Sequence, residues 1–394
     1  MKKEVKIYFM ILAFTALALG MSNQVLSNYF KDAYNVTAFQ RGIIEFPREI
    51  PGFIGVFIIA ALVSLNDIRL SMFAQVLSIF GIVVLGFVTP KFSIMLIFLF
   101  INSLGMHLFM PMSDSIGMSL VDQDKLGMRM GQFKGTSTAF TMISAMIVFV
   151  CFRWDVFSFT TPLKWPFILA GLLLTVVLFL LVYLEKTTHH QKIHHEKIKF
   201  IVRKEYKLYY TLVVLFGAQK QIMMVYGPWV LIELLGKKAD TLALLAIAGA
   251  FIGIFFIPAL GRWLDRFGVQ KLLYADGISF VVVYALFGFL TMGYVSGVLP
   301  TTGWAVLLGY FMVVLDKMST QMSFIRTVYL RKIAVDSKDI TPTLSLGMSM
   351  DHFVSITCAV LGGVVWGTWG PQYIFFLAAA ISFINIYVAY KVEI

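Results

Sequence analysis

Charge is what this chain has least of. Of its 394 residues only 13% are Asp, Glu, Lys or Arg, and 59% are hydrophobic, with a mean hydropathy of +0.84. Soluble domains carry about 25% charge and about 45–50% apolar residues, so too little polar surface remains here to coat a water-soluble globule. Cysteine is scarce as well. Cys151 and Cys358 both fall in apolar runs, which excludes a disulfide framework. The sequence has no G-x-x-x-x-G-K-[ST] loop, which argues against nucleotide drive, and no H-E-x-x-H helix or nucleophile–base set that would mark an enzyme. No cofactor and no resident metal are expected.

What is present is a long series of apolar runs, each near the length of about 20 residues that spans a hydrocarbon core. Twelve can be drawn, near 8–30, 41–63, 70–89, 93–120, 130–152, 163–184, 208–235, 240–260, 270–293, 302–326, 341–366 and 371–390. The reading is an all-α, multi-pass membrane protein of about twelve helices. The opening MKKEVKIYFMILAF has the basic start of a cleaved signal, but its apolar stretch runs on, so it reads as the first span. Asn35-Val36-Thr37 forms a glycosylation sequon in a short outer loop.

Orientation follows the Lys/Arg bias of the connections. One side carries Lys2, Lys3, Lys6, the basic 185–207 segment, Arg262, Arg266, Arg331 and Lys332 among others. The opposite side has only Lys31, Arg41, Lys91, Arg153, Lys164, Lys237 and Lys238. Both termini and the central segment are therefore expected in the cytoplasm, in a bacterial-type inner membrane. The net charge of +11 is mostly this bias, and nucleic-acid binding is not needed to explain it. The linker histidines His189, His190, His194 and His195 suggest weak metal binding, but no carboxylate or cysteine set completes a site, and a basic segment against anionic lipid suits them better.

Segment 185–207 is the one long polar interruption. It divides the chain into a six-span half (1–184), a linker (185–207) and a second six-span half (208–394). Residues recur between the halves at an offset of about 197–198. LGMSNQVLSNY (19–29) lies over FGAQKQIMMVY (216–226), and PGFIGVFIIAALVSLNDIR (51–69) over GAFIGIFFIPALGRWLDRF (249–267). Parallel repeats of six spans suit a transporter that rocks one bundle against the other.

Within the second match, Gly261-Arg262-Trp263-Leu264-Asp265-Arg266-Phe267-Gly268 fits a G-x-x-x-D-R-x-G loop between spans 8 and 9. In this signature the chain resembles the major facilitator superfamily. The first-half copy keeps Asp67 and a nearby Arg69 but lacks both glycines, whereas family proteins usually carry the stronger copy in that half. The resemblance implies two pseudo-symmetric six-helix bundles, alternating access, and loops that act as gating contacts through Asp67, Gly261, Asp265, Arg266 and Gly268. It also implies that spans 1, 4, 7 and 10 line a central cavity, with contributions from 2, 5, 8 and 11. It does not imply a substrate.

Charges inside spans usually face a partner or a watery cavity, because each costs about 2.5–3.5 kcal/mol at mid-bilayer on insertion scales. Five bases (Arg48, Lys134, Lys220, Lys317, Arg326) and five acids (Glu45, Glu49, Asp114, Asp316, Asp351) stand in or at the ends of spans. In span 2, Glu45, Arg48 and Glu49 share one helix face between Pro47 and Pro51. They read as a substrate or proton site, a structural ion triad, or a cluster at the outer membrane edge. Asn23 and Gln24 of span 1 lie opposite Gln219, Lys220 and Gln221 of span 7 in the repeat, as paired mouths of a polar cavity. Lys220 there offers a charge to an anionic or zwitterionic group, or forms an internal bridge to Asp316 or Glu49. Lys134, Asp316 and Lys317 complete the candidate substrate residues; 316 and 317 point about 100° apart and should serve different partners.

For proton coupling the candidates are His107 with Asp114, on a stripe with Ser103 and Met110, and Asp351 with His352. The expected partners are a small-molecule solute, a coupling ion (H⁺ or Na⁺) and the bilayer, with the protein a monomer. Ion-coupled transport of a small polar, charged solute by alternating access is the leading expectation, with H⁺ as the leading ion. A multidrug or lipid exporter is the alternative, drawn from the 21 methionines and 37 phenylalanines and weakened by the absence of a G-x-x-x-G-P-x-x-G-G signature in span 5.

Overall fold

The computed structural model describes residues 2–62, 64–121, 126–188 and 202–392; the linker histidines lie outside the described residues. No strand occurs among the described residues. The helices are α1 (Lys3–Asn23), α2 (Leu26–Tyr34), α3 (Ala38–Ala61), α4 (Asp67–Phe87), α5 (Phe92–Ser119), α6 (Leu126–Arg153), α7 (Trp165–Thr187), α8 (Lys207–Glu233), α9 (Ala239–Ser296), α10 (Trp304–Gln321), α11 (Phe324–Ile333), α12 (Ile340–Thr368) and α13 (Pro371–Lys391).

Nine helical segments among the described residues are long and apolar enough to cross a membrane, and α1 with α2 forms one of them. The 58 residues of α9 are enough for two crossings. Its two limbs meet at Gly268, whose φ of 81° and ψ of 169° are non-helical. That backbone is open to glycine and strained for a residue with a Cβ, so the last glycine of the loop signature has a physical reason. With α3 and the α10–α11 pair, the crossings number twelve. Large apolar side chains such as Phe80, Phe179, Phe255, Phe289 and Phe383 stand exposed on several helices, as a lipid-facing surface requires.

The chain packs as two compact units. Unit 1 comprises the described parts of 1–35, 50–197 and 238–247; unit 2 comprises 36–49, 198–237 and 248–394. In unit 1, α4 lies along α5 and α7, while α1 lies along α6 and α7. Small residues let these backbones approach. A Cβ added at Gly81 would come within 2.5 Å of Asn102 N, and Asn102 Nδ2 donates to the Ser78 carbonyl at 2.9 Å across the same crossing.

In unit 2, α8 packs against α12 and α13. Below them Tyr206, Tyr209, Leu260, Leu273, Ile325 and Leu330 form part of one apolar core. At its edge Asp339 accepts from the Tyr206 hydroxyl (2.8 Å) and from Arg203 Nε (2.7 Å). These two partners hold the Asp339 carboxyl below its usual range, the tyrosine hydrogen bond being the larger cause.

Candidate functional site

Within unit 2 the polar residues inside the spans are drawn together around α8. Gln219, Lys220 and Gln221 are consecutive, so a helix aims them about 100° apart, and each meets a different helix. Gln219 reaches α13: its Nε2 donates to Ser382 Oγ (2.6 Å), and its Oε1 accepts from Asn385 Nδ2 (2.9 Å). Lys220 pairs with Asp351 of α12, Nζ to Oδ2 at 2.6 Å. Gln221 donates from Nε2 to Glu45 Oε2 of α3 at 3.1 Å. Gln219 and Gln221 are fully buried, so their amides bind the bundle itself. The bridge of Lys220 expected toward Asp316 or Glu49 goes to Asp351 instead. Gly217, one turn below, admits that contact, because a Cβ there would stand 2.6 Å from Asp351 Oδ1.

The first half of α3 brings its charges into the same unit. Glu45 Oε1 takes both Arg41 Nη1 (2.5 Å) and Arg48 Nη1 (2.6 Å), while Oε2 takes Gln221. Glu45 and Arg41 are almost wholly buried, at 0% and 2% exposed, so this is an interior triad. Arg41, counted above among the outer-side bases, stands in the first turn of α3 and is buried there; its partner one helical turn on, Glu45, was the signal. Glu49 Oε2 lies 2.8 Å from His352 Nδ1. The neighbours Asp351 and His352 therefore serve two separate partners and do not form one relay. Close packing holds α3 here, since the Tyr226 hydroxyl donates to the Ala359 carbonyl and Gly42 lies against both.

Asp316 and Lys317 also diverge. The Tyr284 hydroxyl lies 3.2 Å from Asp316 Oδ1 and donates to the Gln219 carbonyl at 2.8 Å. Lys317 extends over Gly249, where a Cβ would meet its Cδ at 2.5 Å. A further pair, Arg326 Nη2 to Asp276 Oδ2 at 2.5 Å, is buried at 4% and 1% exposed, with the guanidinium 4.2 Å from the Phe216 ring centroid. Asp276 was absent from the sequence's list of intramembrane acids. Nothing near it in sequence marks it, because its partner is 50 residues away.

Unit 1 is organised differently. A cavity of about 300 Å³ opens between α1, α5 and α6. Its walls include Tyr8, Thr15, Phe109, Asp114, Phe133 and Lys134. Asp114 and Lys134 are both exposed, and among the described residues neither side chain makes a hydrogen bond or an ion pair. Tyr8 donates to the Ser113 carbonyl at 2.5 Å and packs edge-on against Phe133, ring centroids 4.8 Å apart. His107 turns back on its own helix, Nδ1 2.9 Å from the Ser103 carbonyl, and does not meet Asp114. Asn23 is exposed at the end of α1, and Gln24 caps that helix.

The two loop copies differ as well. In the first, Asn66 caps α4 by accepting from Arg69 N (2.8 Å), Asp67 opens the helix, and Arg69 Nε reaches Glu185 Oε1 at 2.8 Å. In the second, Asp265 and Arg266 are exposed, and Arg266 stacks 5.3 Å from the Phe267 centroid. Gly261 has open space where a side chain would go.

Solved structures share this architecture across nearly the whole chain. A mutant of the nucleoside transporter NupG aligns with a TM-score of 0.79 at 13% identity, covering 98% of this chain and 99% of that one. A bacterial homologue of the iron transporter ferroportin, in an inward-facing state, aligns at 0.72 and 14%, covering 99% of each chain. The POT family transporter PepTSo aligns at 0.74 and 11%, covering 99% and 97%. At these identities the likeness shows the fold. No curated protein matches the sequence. The family model of the Major Facilitator Superfamily matches residues 8–331, most of the chain, and with twelve crossings and this architecture the chain belongs to that superfamily of membrane transporters.

Proposed function

We propose that the protein is a secondary active transporter that moves a small, polar, charged solute by alternating access, driven by an ion gradient that we take to be H⁺. The observation that carries this reading is the unit 1 cavity, in which the Asp114 and Lys134 side chains make no hydrogen bond or ion pair among the described residues. Charges in spans are costly and are kept where something uses them. Here no hydrogen bond or ion pair among the described residues does. The transporters of similar structure are named for nucleosides, iron and peptides, so the fold leaves the solute open and the cavity's own charges favour a charged one.

Coupling is assigned to His107 and Asp114 on α5 and to Asp351 and His352 on α12. The Lys220–Asp351 and Glu49–His352 contacts act as carboxylate pairs that protonation opens. The loops at Asp67 and at Gly261–Gly268 are assigned to gating. We place both termini on the cytoplasmic side of a bacterial-type plasma membrane, with two pseudo-symmetric halves in one monomeric chain.

The test is uptake into proteoliposomes of the purified protein, with a panel of radiolabelled amino acids, organic acids, sugars and nucleosides. An imposed pH gradient is compared with a Na⁺ gradient and with none. Accumulation of a polar charged solute under the pH gradient supports the reading. Movement of lipophilic cations or lipids alone favours the exporter alternative, for which Met110, Met130, Phe109 and Phe133 of the same wall argue. Na⁺-dependent accumulation would replace the coupling ion.

A further inference from the structure

We infer that the unit 1 cavity is a site for a small zwitterionic solute with an apolar body, its cationic group on Asp114 and its anionic group on Lys134. This rests on the transporter reading above and narrows it to a substrate class. The two charges belong to different helices, α5 and α6, and face one cavity. They interact through space but do not come within the 4.0 Å of an ion pair. Elsewhere in the spans, opposite charges that close on each other do so tightly, as in Lys220–Asp351 at 2.6 Å and Arg326–Asp276 at 2.5 Å. The exception in unit 1 is a gap with an acid on one side and a base on the other. A solute of single charge would satisfy one group and leave the other facing its like charge or nothing. A zwitterion satisfies both, and complementarity of this kind sets specificity.

The rest of the wall supports the same class. The Thr15 hydroxyl on the same wall is buried, with the residue 7% exposed, and has no hydrogen-bond partner among the described residues. The Tyr8 hydroxyl is already committed to Ser113, which leaves its ring, with Phe109 and Phe133, as an apolar surface. About 300 Å³ lies at the small end of the range of about 300–1,000 Å³ for ligand cavities. That space suits a free amino acid or a betaine and is small for a nucleotide or a multi-ring drug.

The experiment measures equilibrium binding to the full-length protein in lipid nanodiscs, using probes that share one ring. L-phenylalanine carries both charges, 3-phenylpropionate only the negative and phenethylamine only the positive; glycine betaine is a second zwitterion with a minimal body. A zwitterion is expected to bind at least about tenfold more tightly than either singly charged analogue, a step of about 1.4 kcal/mol. Asp114→Asn should shift preference toward 3-phenylpropionate, and Lys134→Gln toward phenethylamine. Because neither side chain makes a hydrogen bond or ion pair among the described residues, both variants should elute and melt like the parent; Asp114→Glu and Lys134→Arg, which keep the charges, guard against a variant that does not. Equal binding of all ring probes, equal weakening of all of them in both variants, or no binding of either zwitterion overturns the assignment. In the last case, uptake of some other solute by the same preparation leaves the transporter reading standing, and failure of all uptake removes both.

Discussion

The two units treat charge in opposite ways. Unit 2 neutralises most of its span charges against one another: Glu45 is clamped by Arg41, Arg48 and Gln221, Asp276 by Arg326, and Asp351 by Lys220. Unit 1 leaves Asp114 and Lys134 facing open space. The same residue types thus do two jobs, and a sequence that shows both cannot say which is which. A fully buried charge pair inside a span, such as Arg326–Asp276, is a fastening whose loss should be read in stability. An unpaired one beside a cavity should be read in ligand binding or transport, with stability untouched.

The comparison breaks first where a buried pair is cut. Asp276→Ala strands the Arg326 guanidinium at 4% exposure. Removing one partner of such a pair costs about 3–5 kcal/mol, measurable as a lower midpoint in thermal or SDS denaturation. Adding Arg326→Met should recover much of that loss. If Asp276→Ala denatures like the parent, the pair is not a fastening. Next, Asp114→Asn and Lys134→Gln should each lower transport of the true solute at least about tenfold while shifting stability by less than about 0.5 kcal/mol. A variant that loses both together would place these residues with the unit 2 charges.

An intermediate case is Lys220–Asp351, at 27% and 16% exposed. Lys220→Gln should cost about 1.5–3 kcal/mol, the scale of one hydrogen bond to a charged group. The exchange Lys220→Asp with Asp351→Lys should restore part of it. The smallest effect is at the edge of unit 2. Asp339 is held below its usual range by Tyr206 and Arg203, so its folded pKa lies below the unfolded value of about 3.9. Its contribution is therefore complete above about pH 4 and is lost as the pH falls through the folded value. Melting curves between pH 3 and 7 should show a shallower acid-side decline for Asp339→Asn than for the parent.

Much of the fold was legible because membrane spans announce themselves locally. Apolar runs gave the twelve crossings, and the G-x-x-x-D-R-x-G signature placed a turn at Gly268, where the backbone does leave the helix. Span 1 hid its division into α1 and α2, since the chain there breaks for only two residues, Gln24 and Val25. The site was legible only by residue type. Helical periodicity shows that Gln219, Lys220 and Gln221 diverge, and that Asp316 and Lys317 do too. It does not show which partner each meets, because those partners lie 32 to 176 residues away. The burial of Arg41 was missed for the opposite reason: its partner is local, but a base near the end of a span reads equally well as a loop residue. Thr15 and Tyr8 left no signal, being ordinary residues of an apolar helix until the cavity beside them is seen.

The three-way engagement of α8 has a mechanical meaning. A lone helix in a bilayer can spin about its long axis at little cost, since lipid looks the same from every side. With Gln219 fixed to α13, Lys220 to α12 and Gln221 to α3, a large rotation of α8 works against all three attachments at once. The helix is indexed in azimuth as a splined shaft is in its hub. Whatever movement carries solute across, α8 must travel with the parts of α3, α12 and α13 that hold it, and inserting a single residue above Gln219 should jam the whole assembly.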